Sequence, residues 1–208
     1  MGAFTVLLHL IVMVAAKSTA FNITLARRAL DFAAAVYADD PRPCLRQHNA
    51  SLVLQVEIPC DALRDKCWAI IANTDDLLVV SFQGTASKFQ LITELLETMT
   101  APKQKVDCGG SVQRYFDVAL ESIAIPLALK LNKLRATFPE KKLLFTGHSL
   151  GGALASLAAA RYTFNMSIPA DQVFLYTFGQ PRVGNFEYAQ AVDRLVPNTF
   201  RLVHRFDL

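Results

Sequence analysis

The chain has 208 residues, of which 52% are hydrophobic and 19% charged, and its formal net charge is +3. This composition excludes an intrinsically disordered chain, and 9 glycines with 9 prolines exclude collagen-like and low-complexity classes. Lysine and arginine are spread along the chain in no more than small clusters, so the sequence does not predict a nucleic-acid-binding protein.

An apolar segment at residues 4–16 begins the chain. It is shorter than the ~20 residues that a membrane-spanning helix needs, and it has the length of a signal-peptide core, ~7–15 residues. Ser18 and Ala20 fit the small-x-small cleavage rule. We therefore predict a signal peptide cleaved after Ala20, with Ala16 as the second choice; a signal anchor or a buried apolar strand is the alternative. No other segment of the sequence has transmembrane length.

Two further features of the sequence agree with secretion. Three N-glycosylation sequons begin at Asn22, Asn49 and Asn165. The cysteine number is even, and the spacing fits neither a zinc site nor a redox CxxC motif. The four cysteines are Cys44, Cys60, Cys67 and Cys108. We predict a secreted, disulfide-bonded glycoprotein, and the sequence leaves the disulfide connectivity open.

Hydrophobic periodicity predicts alternating helices and strands. In chain order the predicted elements are a helix over 22–37 ended by a break at 39–43, strands over 51–58, 68–72 and 77–82, an amphipathic segment over 88–100, a helix over 111–138 kinked at Pro126, a strand over 142–146, a helix over 150–162, a strand over 173–178, a helix over 185–196 and a strand over 199–205. The alternation from residue 77 onward predicts an α/β fold, a mainly parallel central sheet with helices on both faces. No linker is visible, so we predict one domain over residues 21–208 after a signal peptide over residues 1–20.

The segment Gly-His-Ser-Leu-Gly at 147–151 has the G-x-S-x-G pattern. It follows a buried strand and opens an alanine-rich helix, which is the setting of a nucleophile elbow. Ser149 would lie in a sharp, strained turn, and Gly147 and Gly151 would leave room for it. The helix N-terminus would direct free N–H groups at the site, and the N–H of Leu150 could donate to an oxyanion. The alternative is an ordinary glycine turn before a helix.

Three other motifs accompany the serine motif. In chain order, the four motifs are FQGT at 82–85, the serine motif GHSLGG at 147–152, YTFGQPRVGN at 176–185 and VHRFD at 203–207. Together they resemble the class 3 lipases, the fungal-lipase-like branch of the α/β hydrolases. The cysteine-bearing N-terminal part also resembles secreted nematode members of that family, with less specificity. The resemblance implies an α/β-hydrolase fold and hydrolysis of triacylglycerols or other carboxylic esters by serine, aspartate and histidine in that chain order. The PRVG segment favours a lipase over a serine peptidase.

Carried over residue by residue, the resemblance implies a set of roles. Ser149 would be the nucleophile, and Asp207 the acid that orients the catalytic histidine. Thr85 and the N–H of Leu150 would hold the oxyanion. The family usually has arginine where this sequence has Gln83, a change that removes a structural ion-pair partner and no reacting group. The expected partner is a lipid or ester substrate at a lipid–water interface, and no metal, nucleotide or redox cofactor is expected.

The catalytic histidine is the missing part of this constellation. The sequence has four histidines, of which His9 would leave with the signal peptide and His48 lies in a polar loop. His148 adjoins the nucleophile but would point away from its hydroxyl. His204 would lie on the face of a strand opposite to Asp207. In the family the histidine comes well after the acid, whereas this chain stops one residue past it. We therefore expect a C-terminally incomplete lipase, with a non-catalytic lipid-binding pseudoenzyme or an inert truncated product as alternatives.

The family places its lid between Thr85 and Pro102. In this sequence Leu91, Leu95 and Met99 recur there at helical spacing. Such an amphipathic helix could cover the serine in water and open at a lipid surface. A plain core-facing helix is the equal alternative.

Overall fold

The computed structural model describes residues 20–60, 66–85 and 102–203. Its strands are β1 (Ser51–Pro59), β2 (Lys66–Asn73), β3 (Leu77–Phe82), β4 (Lys103–Lys105), β5 (Ser111–Gln113), β6 (Lys142–His148), β7 (Val173–Phe178) and β8 (Asn198–Leu202). Its α-helices are α1 (Ile23–Ala35), α2 (Arg42–Arg46), α3 (Arg114–Thr137), α4 (Leu150–Asn165) and α5 (Phe186–Leu195). The predicted leader, the predicted lid helix, His204 and Asp207 lie outside the described residues.

Within the described ranges, six strands form one sheet in the order β1-β2-β3-β6-β7-β8, and β4 pairs with β5 in a separate two-stranded sheet. β2 pairs antiparallel with β1 and with β3, whereas β3, β6, β7 and β8 pair parallel. The parallel part begins with β3, where the predicted alternation of strands and helices begins. The predicted mainly parallel α/β sheet is therefore confirmed. Phe82 pairs with Gly147, so β3 and β6 end at the same edge of the sheet.

Helices cover both faces of the sheet, each over its own apolar core. β3 contributes to both cores, because successive side chains of a strand point to opposite faces. Leu78, Val80 and Phe82 belong to the core that includes side chains of α3, α4 and α5. Leu77 and Val79 belong to the core that includes side chains of α1. All six residues of β3 are buried, as its continuous apolar sequence predicts.

Small side chains allow α4 to pack directly on the sheet. The helix is buried at 12 of its 16 positions, and Ala153, Ala155 and Ala158 are fully inaccessible to solvent. A helix that is apolar on nearly every side is a core helix. Because α4 starts where β6 ends, this packing also fixes the direction of its N-terminus.

The structure corrects the predicted helix over 111–138. Ser111–Gln113 is strand β5, paired antiparallel with β4, and the helix begins at Arg114. A distant partner holds this segment extended, since the N–H of Gln113 donates to the carbonyl of Val183 at 2.9 Å. Local periodicity does not register such a partner, so tertiary pairing overrides the helical pattern.

Proline lies inside two of the helices. α2 forms within a segment where the sequence predicted only a helix break. Its Pro43 lies in the first turn of the helix, where backbone N–H groups have no intrahelical acceptor, so proline loses no hydrogen bond there. α3 runs past Pro126 as a single helix. Its neighbours Ile123 and Leu127 are buried in the core, and that burial offsets the hydrogen bond that proline cannot make. The predicted kink at Pro126 stays a prediction.

One disulfide joins Cys60 to Cys67, between β1 and β2. Cys44 and Cys108 have free thiols, the first exposed and the second buried. The prediction of disulfide bonding is therefore confirmed for one pair of the four cysteines.

Candidate functional site

The predicted nucleophile elbow connects β6 to α4. Ser149 has φ 54° and ψ −124°, a conformation that residues with a side chain rarely adopt. A Cβ at Gly147 would lie 2.3 Å from the carbonyl oxygen of Gly151. The turn can close this tightly only because Gly147 and Gly151 have no side chains. These are the two glycines of the G-x-S-x-G pattern.

Backbone hydrogen bonds hold Ser149 in this turn. Its N–H donates to the carbonyl of Phe178 on β7 at 2.9 Å. Its carbonyl accepts from the N–H of Gly152 at 2.9 Å and from that of Ala153 at 3.2 Å. Leu150 is the first residue of α4, and the first N–H groups of a helix have no intrahelical acceptor. The partial positive charge of the helix N-terminus therefore lies beside the partly exposed Ser149.

The loop after β3 lies directly against the elbow. A Cβ at Gly84 would lie 2.3 Å from the carbonyl oxygen of His148. A Cβ at Gly151 would lie 2.1 Å from the carbonyl oxygen of Phe82. The two segments therefore touch through their backbones, with no room for a side chain between them. The structure in this way brings together the segments that carry two of the predicted site residues, Thr85, which is partly exposed, and Leu150, which is buried.

Tyr37 is a residue of this site that the sequence did not reveal. Its hydroxyl accepts a hydrogen bond from the N–H of Gly84 at 3.0 Å and lies 3.1 Å from Nδ1 of His148. Burial raises the pKa of Tyr37, and the hydrogen bond from Gly84 works against that rise. Its partners are 47 and 111 positions away along the chain, so no local pattern could have indicated them.

Both described histidines contact other side chains. The imidazole of His148 faces Tyr37, and its direction relative to the hydroxyl of Ser149 stays a prediction. His48 pairs with Asp31 at 3.0 Å between Nε2 and Oδ2, and its ring lies 5.2 Å from that of Phe32. Each contact occupies one ring nitrogen of its histidine.

Residues 178–182, within the motif YTFGQPRVGN, form the wall beside the elbow. Gly179 has φ 57°, and a Cβ at Gly152 of α4 would lie 3.2 Å from Cβ of Gln180. A cavity of about 320 Å³ opens next to this wall. Its lining includes Gln180, Arg182, Phe186, Tyr188 and Arg201.

The described ranges contain no group of three or more histidine, cysteine, aspartate or glutamate residues that could hold a metal ion. Among the helices of those same ranges, none is long and apolar enough to cross a membrane.

Solved structures of lipases share this architecture. The lipase from Rhizopus microsporus var. chinensis superposes with a TM-score of 0.74 at 24% identity, over 90% of this chain and 68% of that one. Lipase II from Rhizopus niveus superposes with a TM-score of 0.74 at 21% identity, over 89% of this chain and 73% of that one. The protein therefore has the α/β-hydrolase fold.

The family model described as Lipase (class 3) matches residues 79–208, more than half of the chain. The chain belongs to the class 3 lipase family. Lipase ZK262.3 of Caenorhabditis elegans is 36% identical to it over 199 residues, which is 90% of this chain and 54% of the relative. Secreted mono- and diacylglycerol lipase 1 of Fusarium solani is 34% identical over 135 residues, which is 65% of this chain and 39% of the relative. The chain spans about half the length, or less, of these curated relatives.

Proposed function

We propose that the protein is a serine hydrolase of carboxylic esters in lipids, with Ser149 as its nucleophile. The observation that carries the proposal is the backbone of Ser149, held at φ 54° between a buried strand and a helix N-terminus. Strained backbone of this kind is retained where the surrounding structure fixes it, and it concentrates at catalytic positions. Membership of the class 3 lipase family supports the same reaction.

In the proposed reaction Oγ of Ser149 attacks the ester carbonyl, and the negative charge develops on the carbonyl oxygen. The N–H of Leu150 and the segment of Thr85 would hold that oxygen. Loss of one such donor costs about 3 kcal/mol of transition-state stabilisation. Asp207 would orient a histidine that removes the serine proton and later delivers it to the leaving alcohol.

We further propose that residues 21–208 alone are not a competent hydrolase. A serine hydroxyl is a weak nucleophile and needs an adjacent general base. His48 and His148, the described histidines, are engaged with Asp31 and Tyr37. Loss of a triad member lowers the rate of hydrolysis by a factor on the order of 10⁴ or more, and the oxyanion hole supplies the residual catalysis.

The compartment is also a proposal: the protein is secreted and glycosylated after removal of a signal peptide. The sequon asparagines Asn22, Asn49 and Asn165 are all exposed, so each could carry a glycan without displacing core residues. The disulfide between Cys60 and Cys67 suits an oxidising compartment. The Fusarium solani relative is itself described as secreted.

The substrate would be presented at a lipid–water interface, and the predicted lid helix would cover the serine until that surface is reached. The second candidate function is non-catalytic lipid binding on the same fold. It is favoured by one observation, the contacts of both described histidines with other side chains, His148 with Tyr37 and His48 with Asp31.

The test of the proposed function is Ser149→Ala in the natural full-length protein. The variant should lose hydrolysis of a long-chain triacylglycerol emulsion while its thermal unfolding stays that of the wild type, because the change removes one oxygen from a partly exposed side chain. Full turnover by this variant would contradict the assignment of the nucleophile. Lipid binding without turnover in the wild type would favour the second candidate.

A further inference from the structure

We propose that Tyr37 is a positioning residue, whose hydroxyl holds the two halves of the oxyanion-binding site in register. The proposal rests on the proposed function, because it concerns the same serine and the same pair of donors. The juxtaposition that carries it is a single phenol oxygen in contact with both the loop after β3 and the residue before Ser149.

Two separate segments must act together at this site. Thr85 follows β3, whereas Leu150 follows β6, so nothing covalent and local fixes the distance between their donors. The segments touch through Gly84 and His148, where a Cβ on the glycine would lie 2.3 Å from the carbonyl oxygen of the histidine. Van der Waals contact of this kind prevents the segments from approaching further, but it does not prevent them from separating.

The hydroxyl of Tyr37 adds an attractive link between the two segments beyond the last pair of β3 and β6, Phe82 and Gly147. It accepts from the N–H of Gly84 at 3.0 Å, which fixes the residue just before Thr85. It lies 3.1 Å from Nδ1 of His148, which fixes the residue just before Ser149. One oxygen therefore links both segments to the C-terminal end of α1, which is itself packed on the sheet through Phe32.

The chemistry of the phenol suits this double contact. Burial raises the pKa of Tyr37, so the hydroxyl keeps its proton at neutral pH. A protonated phenol can accept from Gly84 and donate to Nδ1 of His148 at the same time.

Oxyanion stabilisation depends on donors that are already in place before charge develops. Loss of the link should therefore weaken binding of the transition state and leave binding of the ground-state ester nearly unchanged. The expected signature is a lower kcat per active site with the same KM. Active sites must be counted because unfolded protein would lower an apparent kcat without changing KM.

The test is Tyr37→Phe in the natural full-length protein, assayed on a soluble p-nitrophenyl ester. Active sites are counted by titration with a phosphonate ester, so that unfolded material does not enter kcat. We expect kcat to fall about 10-fold with KM within about twofold, a smaller loss than the ~10²–10³-fold that follows removal of an oxyanion-hole donor itself. Affinity for an alkyl trifluoromethyl ketone, which places a negative oxygen in the hole after serine addition, should fall by the same factor as kcat/KM.

The matched control is Tyr176→Phe, which removes a phenol oxygen that accepts from the N–H of Asn22 at 3.4 Å, at the other end of α1. This variant should keep the wild-type kcat and ketone affinity. Equal kinetics in the two variants, or a Tyr37→Phe effect on KM alone, would overturn the positioning role. Ser149→Ala distinguishes failure of the proposed function from failure of this inference. If turnover survives Ser149→Ala, the proposed function is contradicted. If Ser149→Ala abolishes turnover but Tyr37→Phe keeps the wild-type rate, only the inference about Tyr37 is contradicted.

Discussion

At the scale of single residues, the site depends on positions that carry no side chain. The strain of a non-glycine residue at φ 54° costs on the order of 1–3 kcal/mol and persists only where packing imposes it. Gly147 and Gly151 permit it at Ser149, because a Cβ at Gly147 would lie 2.3 Å from a backbone oxygen and a Cβ at Gly151 would lie 2.1 Å from one. The two glycines of the G-x-S-x-G pattern are needed because of these two close contacts.

Gly151→Ala should therefore lower both stability and activity. Its Cβ would lie 2.1 Å from the carbonyl oxygen of Phe82, and backbone cannot yield as a flexible side chain can. We expect a loss of about 2–3 kcal/mol in the free energy of unfolding, at the upper end for overpacking. Gly152→Ala is the control, with its nearest contacts at 3.2 Å and a helical gain of about 0.5–1 kcal/mol from replacing glycine. Urea unfolding of both variants checks the pair, and equal losses would contradict the account.

Asp76 should give the stability a pH dependence in the acid range. Its hydrogen bonds with the Arg28 guanidinium lower its pKa from 3.8 to about 2. Because the folded-state pKa lies below the unfolded value, this contribution is complete above pH 4 and is lost as the pH falls towards 2. The side chain is 59% exposed, so solvent screening limits the contribution to about 0.2–1 kcal/mol.

Asp76→Asn should accordingly unfold at lower urea concentration than the wild type at pH 7, and the difference should shrink as the pH approaches 2.5. Asp75→Asn is the matched control, since this neighbouring carboxylate acts on Arg28 only through longer-range charge. A difference between Asp76→Asn and the wild type that grows on acidification would contradict the sign.

At the scale of elements, one partly buried charge cluster ties α3 to α4. Nη2 of Arg161 lies 2.5 Å from Oδ1 of Asp117, whose side chain is only 4% exposed, and the same guanidinium contacts the exposed Glu121. Burial raises the pKa of Asp117, while the charge of Arg161 lowers it. The arginine thus opposes the rise in the pKa of a carboxyl that is buried between two helices.

Arg161→Met should cost about 3–5 kcal/mol at pH 7, because it leaves the Asp117 charge buried without a partner. The loss should diminish at lower pH, where the carboxyl can take up a proton in the folded state. Glu121→Gln breaks only the exposed contact and should cost no more than about 1 kcal/mol. Thermal unfolding across pH checks the series, and equal losses from the two variants would show that burial of Asp117 does not matter.

Which elements could be predicted depends on where their partners lie. β3 and β7 have the predicted bounds, since a buried strand is apolar along its whole length. β4 could not be found, because Lys103–Lys105 is polar, exposed and held by pairing with β5. The role of Tyr37 could not be predicted for the same reason, since its contacts are with residues 47 and 111 positions away along the chain.

At the scale of the whole molecule, the sheet brings the candidate site together from separate parts of the chain. The parallel strands β3 and β6 end side by side, so Thr85 and Ser149 follow neighbouring strands at one edge. β8 ends at Leu202 next to β7, and residues 203–208, which contain the predicted acid Asp207, follow from that strand. The sequence could predict this convergence because the carboxyl ends of parallel strands share an edge, where α/β proteins place their ligands.

The most direct measurement of the central claim is mass-spectrometric mapping of a phosphonate ester on the natural full-length protein. The reagent forms a covalent bond with an activated serine Oγ and releases its leaving group. The account predicts one adduct, on the peptide that contains Ser149, with ester hydrolysis lost in proportion to labelling and no adduct on the separately prepared chain of residues 21–208. Labelling of a different residue that tracks with loss of hydrolysis, or hydrolysis that continues with Ser149 fully modified, would contradict it.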